Sequence, residues 1–264
     1  MRLSVDGHTY TFPAILYVKC RPSTPPENLM AQFGNDYLAG CHPAILDALA
    51  ATNLEQSAGY GLDPYCDAAR ATIRALIGDE AVDVHFLVGG TQANATVIAS
   101  ILRPWQGVIA ADCGHIATHE TGAVEAHGHK VLTLPGADGK LDAAQLHDFM
   151  ESYWLASGIK EHIVQPGMVY LSQPTELGTV YSRAELAAIA QTCRHYRLPL
   201  FVDGARLGYA LAPGVSDVSL PDLAALCDAG KIESYEGDWV DAAALLLEEL
   251  PEHDAAEAED SKIG

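Results

Sequence analysis

VHFLVGGTQAN, from Val84 to Asn94, and LPLFVDGARLGYA, from Leu198 to Ala210, decide the fold: each is a short apolar run that ends in polar residues. The first closes on a glycine turn at the start of a helix-like stretch, where exposed backbone N–H groups and the helix dipole favour an anion. The second puts a carboxylate, Asp203, and a guanidinium, Arg206, at the end of a buried strand. In open α/β sheets, ligands sit beyond the carboxyl ends of the strands, so the two segments read as two halves of one cradle.

Working outward, short apolar runs alternate with helical patterns from Ala31 to Asp228. Strands are expected at Val84 to Val88, Val108 to Ala111, Lys130 to Leu134, Met168 to Ser172 and Leu200 to Val202. Helices are expected at Pro43 to Asn53, Tyr65 to Ile77, Gln92 to Leu102, Ala143 to Ala156 and Ser182 to Arg197. In the last of these, Ser182 and Glu185 have capping-box spacing, and Leu186, Ile189, Ala190 and Cys193 make one apolar stripe. This alternation implies an α/β fold with a mostly parallel sheet covered by helices on both faces. The strand at Val202 closes the series.

The ends differ in composition. Residues 1 to 29 hold a strand-like patch from Tyr10 to Val18 and then a proline-rich linker, RPSTPPEN, before Met30, itself a candidate start. From Asp228 onward, twelve acidic residues face only Lys231 and Lys262, so 37 residues carry half of the net charge of −20. That tail, with an amphipathic stretch at Asp238 to Leu250, is expected to be partly disordered. The division expected is thus a leader (1–29), a large domain (30–228) and an acidic tail (229–264).

The chain has 264 residues, 49% of them hydrophobic, and no apolar run of membrane-spanning length. A strongly acidic balance speaks against nucleic acid or an anionic membrane as partner. Six cysteines without CxxC spacing, and no signal-peptide pattern at the start, point to a reduced, cytoplasmic setting.

Taken singly, the chemical signals are ambiguous. Gly89, Gly90 and Thr91 also suit an ordinary tight turn, and Asp203 also suits a helix cap neutralised by Arg206. The segment CGHIATHETGAVEAHGH carries His115, His119, His127 and His129 with Glu120 and Glu125. His115 and His119 have i,i+4 spacing, but the Glu follows the second His, not the first as in HExxH, so no metal site is expected. An imidazole stacked on an aromatic cofactor, with Glu120 nearby for proton transfer, suits the pattern better, while a plain solvated polar loop stays open as the alternative for His127 and His129. FGNDYLAGCHP (Phe33 to Pro43) and GYGLDPYC (Gly59 to Cys66) read as loops able to line a pocket with Tyr60, Asp63 and Tyr65.

Joined in order, these pieces resemble a known family. NDYxxGxHPxI, GYGxDxY, DVHFLVGGTQAN, GHIxxHETGA, SxPTExGT (Ser172 to Thr179) and LPLFVDGARLGYAL are similar to motifs of the threonine aldolase and aromatic amino acid β-eliminating lyase family. The resemblance runs from about Phe33 to Asp228 and implies the large domain of a fold-type I pyridoxal-phosphate enzyme, without a C-terminal small domain. It implies that Gly90, Thr91 and Gln92 hold the phosphate of pyridoxal 5'-phosphate, that His115 stacks on the ring and that Asp203 pairs with the ring nitrogen. It further implies that Arg206 binds the carboxylate of a small amino acid substrate, that Asn35 contacts cofactor or substrate across a homodimer interface, and that Glu120 and Glu176 are pocket acids.

The resemblance departs at one place. In the family, a segment of the form FYIGGTK follows LPDLAALCD and supplies the lysine that bonds the cofactor, whereas here Leu220 to Asp228 is followed by AGKIESYEGDW. Lys231 comes a few residues early, and the acids after it, Glu233, Glu236 and Asp238, would stabilise its charged form, so it is expected to be a solvated surface lysine. A truncation or frame change near Ala229, and an extraneous leader, would account for this. Two main functions follow: a lyase acting on a β-hydroxy-α-amino acid, by Cα–Cβ cleavage or β-elimination, or a non-catalytic remnant serving as a ligand-binding or interaction module. A metal-dependent hydrolase built on the histidine segment is a third, weaker reading.

Overall fold

The structure, a computed structural model, describes residues 2–5, 8–11, 43–155, 160–212, 214–232 and 242–246. The proline-rich linker, the Phe33 to Pro43 motif up to residue 42 with Asn35, and the acidic tail other than 229–232 and 242–246 lie outside the described residues. The chain divides into two compact units, Met1–Leu38 and Ala39–Gly264. In the first, β1 (Arg2–Val5) and β2 (His8–Thr11) form an antiparallel hairpin in the register Arg2 to Thr11.

The second unit is a seven-stranded sheet. In chain order its elements are α1 (Pro43–Thr52), α2 (Pro64–Ile77), β3 (Asp83–Leu87), α3 (Gly90–Ile101), β4 (Gln106–Ala111), α4 (His115–Thr118), α5 (Ala123–Ala126) and β5 (Lys130–Leu134). There follow α6 (Ala143–Leu155), β6 (Gln165–Ser172), α7 (Arg183–Tyr196), β7 (Leu200–Gly204), α8 (Leu207–Ala210), α9 (Leu220–Leu226), β8 (Ala229–Ile232) and β9 (Ala242–Leu246). Across the sheet the order is β3-β9-β8-β7-β6-β4-β5. The run from β5 to β8 is parallel, and β9 is antiparallel to both β8 and β3.

The central strands are apolar on both faces because both faces are covered. Ile109, Val169, Leu171, Leu200 and Val202 pack with Leu146 and Met150 of α6 and with Leu186 and Ile189 of α7. The alternate residues Val108, Ala110, Met168, Tyr170 and Phe201 pack on the other side with Val97 and Ile98 of α3. Two-residue periodicity in the strands thus sorts each side chain to one of two cores. Residue termini follow local chemistry: Asp63 accepts from the Tyr65 and Cys66 N–H groups at the start of α2, and the Ser182/Glu185 capping box opens α7.

The sheet does not close at Val202 as the apolar runs suggest. β8 and β9 extend it, with Ala242–Leu246 inside the stretch read as amphipathic. β8 is hard to see in sequence because it is four residues long and includes a glycine and a lysine.

Candidate functional site

Three strand ends stand side by side. The register of β6, β7 and β8 sets Ser172 opposite Asp203 and Asp203 opposite Lys231. The polar residues that end or follow β3 and β4 lie on this same carboxyl edge, where an open α/β sheet presents its ligand crevice.

Asp203 is the hub, and it is buried. Its Oδ2 accepts from the Tyr170 hydroxyl at 2.5 Å and from Asn94 Nδ2 at 3.0 Å, and lies 2.9 Å from Lys231 Nζ. Its Oδ1 accepts the Ala205 N–H at 3.0 Å. A buried carboxylate survives only when its lone pairs are matched by donors, and these four contacts match them. Burial and the adjacent Asp203 charge together push the Tyr170 phenol well above its ordinary range, so the hydroxyl stays a donor.

Lys231 therefore contradicts the expectation of a solvated surface lysine. Its side chain is 2% exposed, as is that of Asp203. The physical reason is the strand: β8 aligns with β7 and directs the ammonium to a carboxylate one strand away. Gly204 makes this close pairing possible, since a Cβ there would stand 2.6 Å from the Lys231 carbonyl oxygen.

Asn94 links the hub to the histidine segment. The same Nδ2 that reaches Asp203 donates to Glu120 Oε1 at 2.6 Å, and His115 Nδ1 meets that oxygen at 2.6 Å. A carboxylate only accepts, so Nδ1 carries the proton in this pair. The Glu120 bond raises the His115 pKa most; burial opposes it, the Glu120 and Asp203 charges add to it, and the Lys231 charge subtracts. Glu120 and Thr121 adopt left-handed backbone, with φ of 61° and 55°, which costs roughly 1–3 kcal/mol per residue and turns the Glu120 carboxylate inward.

Glu176 fixes the other side of the same turn. Its Oε1 accepts the His115 backbone N–H at 2.9 Å and the Ser172 hydroxyl at 2.6 Å. His119 stacks on His115 with ring centroids 4.9 Å apart and planes 3° from parallel. Among the described residues, no group of three or more His, Cys, Asp or Glu is arranged to hold a metal ion. Of the two histidines for which the sequence leaves a solvated loop open, His129 is buried, with Nδ1 3.2 Å from the Gln106 carbonyl oxygen.

The glycine turn opens α3, a twelve-residue helix beginning at Gly90 with Gly89 as its N-cap. Among the described residues no side chain caps it, and a Cβ on Gly89 would meet none of them within 4 Å. Thr91 is exposed beside it, and Gln92 Oε1 accepts the Val88 N–H at 3.0 Å. One turn further along α3, Asn94 joins the hub. Arg206, exposed, precedes α8 and lies three residues beyond Asp203. Of the loop residues read as able to line a pocket, Asp63 serves as a helix cap and Tyr65 donates its hydroxyl to Glu55.

Asn94, Tyr170 and Ser172 belong to the site although none was singled out as a site residue in the sequence. A signal existed for two of them. Asn94 is the one polar residue in the buried run Ala93 to Ala95, and Tyr170 carries a hydroxyl into the buried middle of a strand, Pro166 to Leu171, whose other residues are apolar.

Comparison with known proteins places the chain in a family. A family model described as beta-eliminating lyase matches residues 32–233, more than half of the chain. The chain belongs to the beta-eliminating lyase family. A low specificity L-threonine aldolase of Pseudomonas aeruginosa is 34% identical to this lyase-family chain over 186 residues, 69% of it and 51% of the relative. A structure of Leishmania major threonine aldolase superposes with a TM-score of 0.76 at 44% identity, covering 81% of this chain and 61% of that one. An alanine–glyoxylate aminotransferase from Nostoc shares the fold alone, at 19% identity and a TM-score of 0.56, covering 79% of this chain and 51% of that one. The chain spans about half the length of the curated relatives it matches. No helix among its described residues is long and apolar enough to cross a membrane.

Proposed function

We propose that this chain forms the cofactor-binding large domain of a pyridoxal-phosphate-dependent lyase acting on a β-hydroxy-α-amino acid, by Cα–Cβ cleavage or the related β-elimination. The observation that carries this reading is Asp203: a buried carboxylate at the end of a central strand, ringed by donors and one turn of α3 from a helix N-terminus that no side chain caps among the described residues. The donor set suits pyridoxal phosphate at both ends. Backbone N–H groups at Gly90 and Thr91 suit a phosphate, and Asp203 suits a protonated ring nitrogen once the Lys231 ammonium yields its place. Two buried acceptors, Asn94 Oδ1 and Glu120 Oε2, take no hydrogen bond among the described residues and suit a ligand that carries N–H or O–H donors.

When bound, pyridoxal phosphate supplies an electron-withdrawing ring that stabilises negative charge at the substrate Cα. The protein's part is orientation and proton handling. Glu120 and Glu176 clamp His115 at its ring and its backbone, so the imidazole keeps one attitude toward the crevice. The Nδ1–H bond to Glu120 fixes the tautomer, and Nε2 is the ring nitrogen suited to exchange a proton with a substrate hydroxyl. Arg206 is the group suited to a two-pronged hold on the amino acid carboxylate. Asn35 is proposed to contact the ligand across a homodimer interface, and the setting is proposed to be the cytoplasm.

A second reading, a domain that binds the cofactor without turning substrate over, is favoured by one observation, the Lys231–Asp203 pair. Purified protein titrated with pyridoxal phosphate and then given threonine or allo-threonine tests both. A saturable change in cofactor absorbance with release of acetaldehyde supports the lyase, and binding without acetaldehyde supports the second reading. No saturable binding at all sinks both. Size-exclusion chromatography that returns a clean monomer contradicts the homodimer.

A further inference from the structure

We propose that Lys231 is a built-in counter-ion for Asp203, standing where a protonated pyridine nitrogen would pair, so that this chain takes up pyridoxal phosphate in competition with Lys231 and not through a covalent bond to it. The inference rests on the cofactor reading above and adds to it a role for a residue of this chain.

Position argues first. Lys231 Nζ is 2.9 Å from Asp203 Oδ2, both side chains are 2% exposed, and the β7·β8 register places the two residues directly opposite one another. The aldehyde carbon of pyridoxal phosphate lies across the ring from the nitrogen. A lysine bonded to that carbon and a carboxylate paired with that nitrogen therefore stand at opposite ends of the ring. Lys231 stands at the carboxylate end.

Valence argues next. Oδ2 already meets Tyr170, Asn94 and Lys231, and Oδ1 meets Ala205. Tyr170 is held in the core by its strand and Asn94 by the buried face of α3, whereas the lysine reaches the site on a flexible four-carbon stem. Charge completes the argument. With Lys231 in place, an arriving pyridinium meets a carboxylate whose charge is already balanced and a like charge beside it. Without Lys231, a buried anion lacks a cation, a strongly unfavourable state that a pyridinium relieves.

The test uses the full chain with two ligands: pyridoxine 5'-phosphate, which has no aldehyde and cannot bond to an amine, and pyridoxal 5'-phosphate. Lys231→Met is expected to bind pyridoxine phosphate roughly tenfold or more tightly than the wild type, the order expected when a buried charge regains a partner. Lys231→Arg, which keeps a cation at the site, is expected to stay near the wild-type affinity. Near-ultraviolet circular dichroism confirms that each variant is folded. The wild type provides a second measurement that needs no variant: after pyridoxal phosphate and borohydride, the Lys231 peptide is expected to carry no pyridoxyl group. A pyridoxyl group mapped to Lys231 overturns the inference while upholding the cofactor reading, as does a folded Lys231→Met that binds pyridoxine phosphate no better than the wild type. Failure of every form to bind either phosphate ester overturns the cofactor reading itself and the inference with it.

Discussion

Tyr170 and Asp203 meet in the core, hydroxyl to carboxylate at 2.5 Å, from adjacent parallel strands. Tyr170 thus serves two ends: its ring packs edge-on against Phe201, and its hydroxyl supplies one of the donors that make a buried Asp203 tolerable. Tyr170→Phe keeps the ring and removes the donor. It is expected to destabilise the fold by about 1–3 kcal/mol, the range for leaving a buried charged acceptor short of a partner. Urea denaturation of the two proteins checks this, and equal midpoints would show that the hydroxyl contributes nothing.

The His115–Glu120 pair gives the site a pH dependence whose sign is fixed. Folding raises the His115 pKa, chiefly through the Glu120 hydrogen bond. A group raised on folding stabilises the protein fully below its unfolded value, about 6.5 for histidine, and the contribution is lost as pH rises through the folded value. Glu120→Gln removes the main cause but leaves the burial, so the His115 midpoint is expected to fall. An NMR titration of the imidazole Cε1–H in both proteins reads it directly, and a midpoint that Glu120→Gln leaves in place would sink the assignment.

How much of this was legible in the sequence depended on how local the cause was. Central strands and long helices follow from apolar periodicity and caps, so β5 begins and ends where the pattern puts it, at Lys130 and Leu134. Asp203 was legible because a carboxylate that ends an apolar strand is a local anomaly. Lys231 was not, because its environment comes from a strand 28 residues earlier in the chain, and its sequence neighbours are acids that suggest solvent. Asn94 and Tyr170 lay within segments read correctly as helix and strand, but their roles depend on which elements pack together, which periodicity does not specify. The burial of His129 is hidden from the sequence for the same reason: it arises where β5 leaves the histidine segment and packs beside β4.

Gly204 is the steric gate for the Lys231 strand. A Cβ at this position would stand 2.6 Å from the Lys231 carbonyl oxygen and 3.0 Å from Leu207 Cβ, and a backbone atom cannot swing aside as a side chain tip does. Gly204→Ala is expected to cost about 1–3 kcal/mol through forced backbone shifts. Part of the cost falls on the β7·β8 pairing itself, so hydrogen exchange of amides in residues 229–232 should quicken relative to those in β6. A variant with unchanged melting and unchanged exchange would mean that β8 is not seated as described.

Cys227 reports on the same strand from its other side. It is buried between α9 and β8, and burial, with the Asp228 charge adding, pushes its thiol up to about 12. Cys193 on α7 is pushed up to about 12 by the same two causes in the same order. Only the thiolate reacts with alkylating reagents, so at pH 8 both are expected to stay unlabelled by iodoacetamide in the native protein and to label in urea. The comparison between them is the informative part. Cys193 is protected by the α7 core, whereas protection of Cys227 requires the segment leading into Lys231 to be docked on β7. Site-resolved mass spectrometry that finds Cys193 protected and Cys227 labelled would show that the core forms while β8 does not, and with it that the Lys231–Asp203 pair is not maintained in solution.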